Sequence, residues 1–294
     1  MSFFALFLVL AAALIHATWN YHLKKAAAGR VFWLLCYSAT SIVMIPALLI
    51  RDPSAFADIT PTGWLVICLS APIHVLYSQI LQTGYRLSDY SVVYPTARGT
   101  GPLISVAAAV LILGNSPSPA GWCGIAAILA GIVLLTLKPG SAAEGRRVRT
   151  GLFWGAMTGC CIAGYTFCDA WAVQQATGLT PLTFYFPSIF MRIFWLAPFV
   201  LLGSDWRADA RAVFSEPVKR RSLAVVTVGS PLAFVLVLYA MTEAPLAYVA
   251  PAREVGMMVG VVAGALLLRE RLSAARIAGA AAMVLGVLLL AVGG

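Results

Sequence analysis

Charge is what this sequence has least of. Asp, Glu, Lys and Arg make up 11 % of its 294 residues, where a soluble domain carries about 25 %. A chain so short of polar surface cannot cover a water-soluble globule, which excludes a soluble enzyme, a disordered segment and a disulfide-knit secreted domain. Histidine is scarce too, at three residues, and the six cysteines show no metal-ligand spacing. Cys36, Cys68, Cys123, Cys160, Cys161 and Cys168 all fall in apolar stretches and read as small apolar residues. There is no Gly-x-Ser-x-Gly, no His-Glu-x-x-His, no Walker loop and no cluster of carboxylates. No enzymatic activity, metal or cofactor is therefore expected. A nucleotide-driven pump is excluded as well, since no connector is long enough for a nucleotide-binding domain. A channel would show a filter sequence or symmetric pore-lining repeats, and neither occurs. The first stretch, 2–23, lacks a basic leader and holds His16-Ala17-Thr18-Trp19-Asn20, so it reads as a first span rather than a cleaved signal.

What the chain has is apolar sequence, 61 % of it. A bilayer core of about 30 Å takes about 20 helical residues. That window predicts ten transmembrane helices, at 3–22, 32–50, 63–84, 91–113, 119–137, 151–173, 181–203, 223–242, 246–268 and 273–292, an all-α polytopic membrane protein. The net charge of +9 is not a nucleic-acid footprint, because the cations lie in short clusters between apolar runs with no aromatic-interleaved basic face. It is a topology signal and a contact with anionic headgroups. Sixteen Lys and Arg fall in the loops that follow odd-numbered spans, and only Arg51 falls in the others. The expectation is a multi-pass protein of the cell (inner) membrane with both termini outside.

Shifting the sequence by 155 residues aligns 97–137 with 252–292 without a gap, at 15 identities in 41 positions. The matches include Arg98/Arg253, Gly101/Gly256, Ser118/Ser273, Gly124/Gly279 and Gly131/Gly286. Spans 4–5 therefore correspond to spans 9–10. Five helices per copy is odd, so the second copy must be inverted. Loop charges agree: 114–118 has none, while its counterpart 269–273 has three, Arg269, Glu270 and Arg271. The expected organisation is a first five-helix repeat over 1–140, a basic cytoplasmic linker over 141–150, and a second, inverted repeat over 151–294. Inverted repeats typify secondary transporters, with substrate held near the midplane between them.

The stretch Leu238-Tyr239-Ala240, Ala247-Tyr248-Val249-Ala250-Pro251, Arg269-Glu270-Arg271-Leu272-Ser273, then Gly279 and Gly286, resembles the second repeat of the drug/metabolite transporter superfamily, EamA type. Arg269 stands where that family usually has Gly, and Asn115-Ser116 replaces its Glu-Arg pair in the first copy. His16-Ala17-Thr18-Trp19-Asn20 occupies the place of a Trp-Gly-x-Asn motif and is also similar to a branch linked to phosphonate utilisation. The resemblance implies a ten-helix metabolite exporter or importer working by alternating access, its cavity lined by spans 1, 3, 4, 6, 8 and 9.

An arginine at mid-membrane is costly enough to face a cavity or a partner. Arg98 and Arg253, related by the repeat, can oppose each other and clamp a carboxylate, phosphonate or phosphate. Alternatively both are structural, Arg253 pairing with an acid such as Glu254. The candidate substrate contacts are Arg98, Arg253, His16, Trp19, Asn20, Tyr94, His74, Tyr77 and Tyr239. Glu254, Asp169 and Arg192 are candidates for coupling or ion pairing. Tyr165 and Asp169 lie one turn apart near the end of span 6, with Asp169 close enough to that end to reach solvent. Arg192, between Pro187 and Pro198, either contacts ligand or pairs with an Asp or a headgroup. Small residues allow close helix approach in lipid, so Gly151, Gly155 and Gly159, and Gly256, Gly260 and Gly264, read as packing surfaces. The expected partners are a small-molecule substrate and the lipid bilayer, the protein acting as monomer or homodimer. Two rivals stand beside this: proton-coupled export of cationic or amphipathic drugs through Glu254, and a non-transporting intramembrane enzyme.

Overall fold

A computed structural model describes residues 1–136, 145–176, 178–203, 205–256 and 274–292. Among them the regular elements are all helices: α1 (Phe3–Lys25), α2 (Arg30–Arg51), α3 (Pro61–Leu87), α4 (Tyr90–Leu111), α5 (Pro119–Thr136), α6 (Gly145–Gln174), α7 (Pro181–Leu201), α8 (Trp206–Ser215), α9 (Pro217–Glu243), α10 (Leu246–Arg253) and α11 (Ala274–Val292). Six of them, α1, α2, α3, α6, α7 and α9, are long and apolar enough to cross a membrane, and 119–134 and 277–292 form shorter apolar helices. Their outer faces are apolar: Phe3, Ile50, Leu111 and Leu202 are each more than 80 % exposed. In water such a surface would aggregate; against acyl chains it is the stable arrangement. The chain is a multi-pass membrane protein. Most of the expected ninth span, 257–268, and the 269–273 turn lie outside the described residues.

Helix starts follow local chemistry. Thr60 caps α3, its hydroxyl accepting from the Gly63 amide at 3.2 Å ahead of Pro61. Thr180 does the same for α7 in a capping box with Thr183, ahead of Pro181. Each cap satisfies amides that have no partner in the first turn, and proline there costs no hydrogen bond. Two features depart from expectation. α6 starts at Gly145, so the end of the basic linker is already helical. Between α7 and α9, where a plain connector is expected, α8 is a short amphipathic helix that buries Val213 and leaves Arg207 and Arg211 outward. Internal prolines interrupt α2 (Pro46), α3 (Pro72), α7 (Pro187, Pro198), α9 (Pro231) and α10 (Pro251).

Glycines set the closest approaches. Added β-carbons at Gly151, Gly155 and Gly159 would strike Ser88, Thr96 and Thr100 in turn, so α6 runs parallel to α4 in intimate contact. On α5, a β-carbon at Gly124 would lie 2.8 Å from the Gly286 carbonyl, and one at Gly131 would lie 2.7 Å from the Gly279 carbonyl. The register falls along α11 as it rises along α5, so these two helices are antiparallel.

Loop contacts sort into two ends. At one, Gly178 (φ 78°) presses on the Asp58 carbonyl, which no residue with a β-carbon could do. There too Asn115 Oδ1 accepts from the Ala247 amide at 3.2 Å, and Gln174 Nε2 donates to the Met241 carbonyl at 2.7 Å. At the other end Arg147 pairs with Asp89 at 3.2 Å, Ser88 Oγ donates to the Arg147 carbonyl at 2.8 Å, and His22 meets Ser222 at 3.4 Å. This second end carries the basic loops.

Candidate functional site in the bundle interior

Where α4 and α10 meet, charge is buried. Arg98 of α4 donates to Glu254 Oε2, just after α10, at 2.8 Å, and Glu254 is 2 % exposed. Arg98 also lies over the Tyr94 ring, 5.5 Å from its centroid. Arg253, the neighbour of Glu254, turns the other way. Its guanidinium donates to the Tyr165 hydroxyl of α6 at 3.3 Å and lies 5.9 Å from that ring. No carboxylate forms a salt bridge with Arg253 among the described residues. His16 of α1 lies within electrostatic reach of both arginines, and its ring meets Trp19 edge-on at 4.6 Å. Tyr77 of α3 is within reach of Arg98 and Glu254 and meets the Tyr165 ring edge-on at 5.7 Å.

Tyr165 joins this cluster to a second one. His74 of α3 stacks on it at 4.0 Å. Ser70, one turn before His74, donates its hydroxyl to Asp169 Oδ1 at 2.7 Å, and the Ser70 carbonyl contacts His74 Nδ1 at 3.0 Å. The other carboxylate oxygen and the other ring nitrogen face each other at 3.8 Å without a hydrogen bond, both fully enclosed. Asp169 is 1 % exposed and His74 7 %. Arg192 of α7, 4 % exposed, is boxed by the rings of Tyr37, Tyr185 and Phe234 at 5.6–5.9 Å, donates weakly to Ser188 at 3.4 Å, and keeps its Nε unpartnered. Cation–π contact is what a desolvated guanidinium gains in such a box.

His16, Tyr77, Tyr94, Arg98, Arg253, Glu254, His74, Asp169 and Arg192 thus converge on one interior region. Trp19 joins through its ring, with a buried and unpartnered indole nitrogen. Asn20 does not: its amide donates to the His16 carbonyl on its own helix, at 2.8 Å. Tyr239 does not either, being 38 % exposed on α9. Asp169 is enclosed rather than solvent-reaching, because α3 and α9 close over the end of α6. Arg192 is no headgroup partner, since no path of exposure reaches it. The expected face-to-face clamp of Arg98 and Arg253 is altered by Glu254, which occupies Arg98. Ser70 and the aromatic box of Tyr37, Tyr185 and Phe234 were not foreseen. Ser70 and Ser188 each precede a charged or polar partner on their own helix by four residues, which was the available signal.

Two open spaces lie beside this region. One of about 550 Å³ between α2, α3 and α7 is lined by Ile42, Ile45, Trp64, Phe190 and Met191 and is apolar. The other, about 10 Å³, has a mixed lining that includes Arg30, Trp33, Ser78, Gln82 and Leu196, and has room for about one water.

A helical bundle with such an interior invites comparison with known membrane proteins. The EamA-like transporter family matches residues 149–292. That part of the chain is an EamA-like transporter domain. The protein is accordingly a membrane transporter of the drug/metabolite transporter type. No curated protein matches the sequence. A solved crystal structure of a protein is similar in fold to this EamA-like chain at a TM-score of 0.79 and 15 % identity, covering 98 % of this chain and 96 % of the other.

Proposed function

We propose that this EamA-like protein is a secondary active transporter that moves a small anionic or zwitterionic metabolite, of amino-acid, organic-acid or phosphonate type, across the cell membrane by alternating access. One observation carries the reading. Three guanidiniums (Arg98, Arg192, Arg253) and two carboxylates (Asp169, Glu254) share the interior, a surplus of one positive charge with both imidazoles counted neutral. Residues 257–268, the rest of the ninth span, add no Asp or Glu. Arg98 and Arg253 keep part of their surface open, so an anion can reach them, and one that does would balance a surplus that is costly to hold away from water. Substrate is the anion that completes it. Export of cationic drugs through Glu254 has the opposite charge logic, because Glu254 is already paired with Arg98.

The architecture we infer is two inverted five-helix repeats with ten transmembrane helices. Its support is the α5–α11 contact. Under the 155-residue shift, Gly124 against Gly286 becomes Gly279 against Gly131, the same contact with partners exchanged. A two-fold axis across antiparallel helices has that property. Sixteen cations against one favour the basic end as cytoplasmic and the termini as external. Coupling is assigned to His74 and Asp169: their facing, unpartnered atoms form a place for one exchangeable proton, and Tyr165 ties that place to Arg253.

The test is uptake by the purified protein in sealed liposomes. Wild type should accumulate a labelled anionic metabolite with saturation, and Arg253→Gln should lower kcat/KM at least about 100-fold, the loss of about 2.7 kcal/mol expected when a buried charge partner of the ligand is removed. Undiminished uptake by a folded Arg253→Gln protein would overturn the reading. Conversion of substrate in detergent, with no compartment, would favour an enzyme instead.

A further inference from the structure

At the basic end of the bundle, α8 joins the end of α7 to the start of α9, and its sides differ in chemistry. One side is anchored. Val213 is buried in a cluster with Phe32 and Cys36 of α2 and Val226 of α9. Trp206 and Ala210 pack against Val31 of α2 and Leu196 and Val200 of α7. At 3.6 residues per turn, Val213, Trp206 and Ala210 fall within about 60° of one another. The next flank round the helix carries Phe214, Arg207 and Arg211, again within about 60°, and all three are exposed. Asp209, the one acid of the helix, stands about 170° from the middle of that flank. Neither Arg207 nor Arg211 forms a salt bridge among the described residues; Arg207 lies over the Trp206 ring, 5.3 Å from its centroid. Apolar side chains are exposed at the same end of the bundle: Leu202 at the end of α7 is 88 % exposed and Phe214 54 %.

We propose that this flank of α8 is a docking surface for anionic phospholipid headgroups of the leaflet at the basic end. Phe214 enters the boundary of the acyl chains, and Arg207 and Arg211 take the headgroup phosphates. Three observations select that occupant. Guanidiniums four residues apart share a helix face and match phosphate oxygens with paired donors. The aromatic ring between them and the leucine beside them want hydrocarbon, which a soluble phosphate does not bring and an interfacial helix finds at once. The flank carries no carboxylate, so a zwitterionic headgroup brings an ammonium for which it has no acceptor, whereas an anionic one leaves nothing unmatched. The surface is tied to the interior by packing. α8 rests on α2 and α7, the two helices that supply Tyr37 and Arg192, whose ring and guanidinium lie 5.9 Å apart. Headgroups held by α8 therefore brace that pair of helices from the membrane surface. The proposal is independent of the charge of the cargo.

The experiment follows thermal unfolding of the full-length protein in a neutral detergent, titrated with phosphatidylglycerol or with phosphatidylcholine of the same chains. Wild type should unfold at least about 2 °C higher with phosphatidylglycerol than with phosphatidylcholine, and the gain should saturate. In Arg207→Gln/Arg211→Gln the concentration giving half of that gain should rise about tenfold or more. Phe214→Ala should raise it by a smaller factor. The control is Arg146→Gln/Arg149→Gln, which removes two exposed cations from the start of α6 and the same net charge; its response should stay within about twofold of wild type. sn-Glycerol 3-phosphate at the same concentrations should leave the midpoint unchanged. Equal losses in the two double variants would overturn the proposal, because the lipid would then be reading the charge of the whole basic end. An equal gain from sn-glycerol 3-phosphate would also overturn it, in favour of a free-phosphate site. A wild type indifferent to phosphatidylglycerol would end it outright and leave the transport reading standing. Should the α8 double variant fail to fold, Arg211→Gln alone should still weaken the response at least about threefold, and a response equal to wild type would overturn the proposal.

Discussion

The α5–α11 contact and the α4–α10 contact are built from the same repeated stretch of sequence, and they have been put to opposite uses. At α5–α11 both copies keep their glycines, the helices touch backbone to backbone, and Ile128, Met283 and Leu290 are fully buried around them. Among the described residues that contact is glycine backbone and apolar side chains. At α4–α10 both copies keep the arginine, but one has glycine and the other glutamate beside it. Matching residues make a scaffold that is the same from either side of the membrane. Mismatched residues give the two arginines different partners, Glu254 for Arg98 and the Tyr165 hydroxyl for Arg253. The places where the repeat disagrees with itself are therefore the places to look for chemistry.

The comparison is broken most severely at the scaffold. Gly131→Leu would drive a side chain into the Gly279 carbonyl and Met283, and backbone cannot give way as a flexible side chain can. The expected result is loss of monodisperse protein in size-exclusion chromatography. Arg98→Gln comes next. It leaves Glu254 buried without its partner, at a cost of about 3–5 kcal/mol, whereas Arg98→Gln/Glu254→Gln should regain most of that. The unfolding midpoints of the two variants test it, and equal midpoints would show the pair to be incidental.

Those two outcomes bear on what the sequence could and could not reveal. The spans were legible because lipid imposes a length of apolar residues that no tertiary detail overrides. Arg98 and Arg253 were legible as charges within apolar spans for the same reason. Their partners were not. Glu254 stands about 100° round the helix from Arg253, so its contact with Arg98, 156 positions away, depends on how α10 crosses α4. Asp169 looked near enough to a helix end to meet water, yet Ser70 from α3 encloses it and Gln174 fixes that end to α9. Tyr239 looked like a cavity residue only by its polarity; a ring near a span end is as readily an interface anchor. α8 escaped notice because ten residues are too few to stand out beside twenty-residue apolar runs.

Smaller effects sharpen the same contrast. Ser70→Ala removes a 2.7 Å hydrogen bond to a buried carboxylate and should lower stability by about 1.5–3 kcal/mol, read as a drop in midpoint. Tyr239→Phe, on the exposed face of α9, should change stability by no more than about 0.5 kcal/mol and leave uptake as in wild type. A large loss of uptake there would move the site outward from the arginines.

Pro72 has a consequence of its own. It falls between Ser70 and His74, so the backbone carbonyl one turn earlier, at Cys68, has no amide to receive. α3 is weakest in its own ladder at the level where it grips Asp169, and α9 carries Pro231 inside its span as well. A helix interrupted there has a bending point, and on α3 that point lies beside the Ser70–Asp169 hydrogen bond and the His74 ring. The proline break and the buried polar cluster therefore share one level of the bundle.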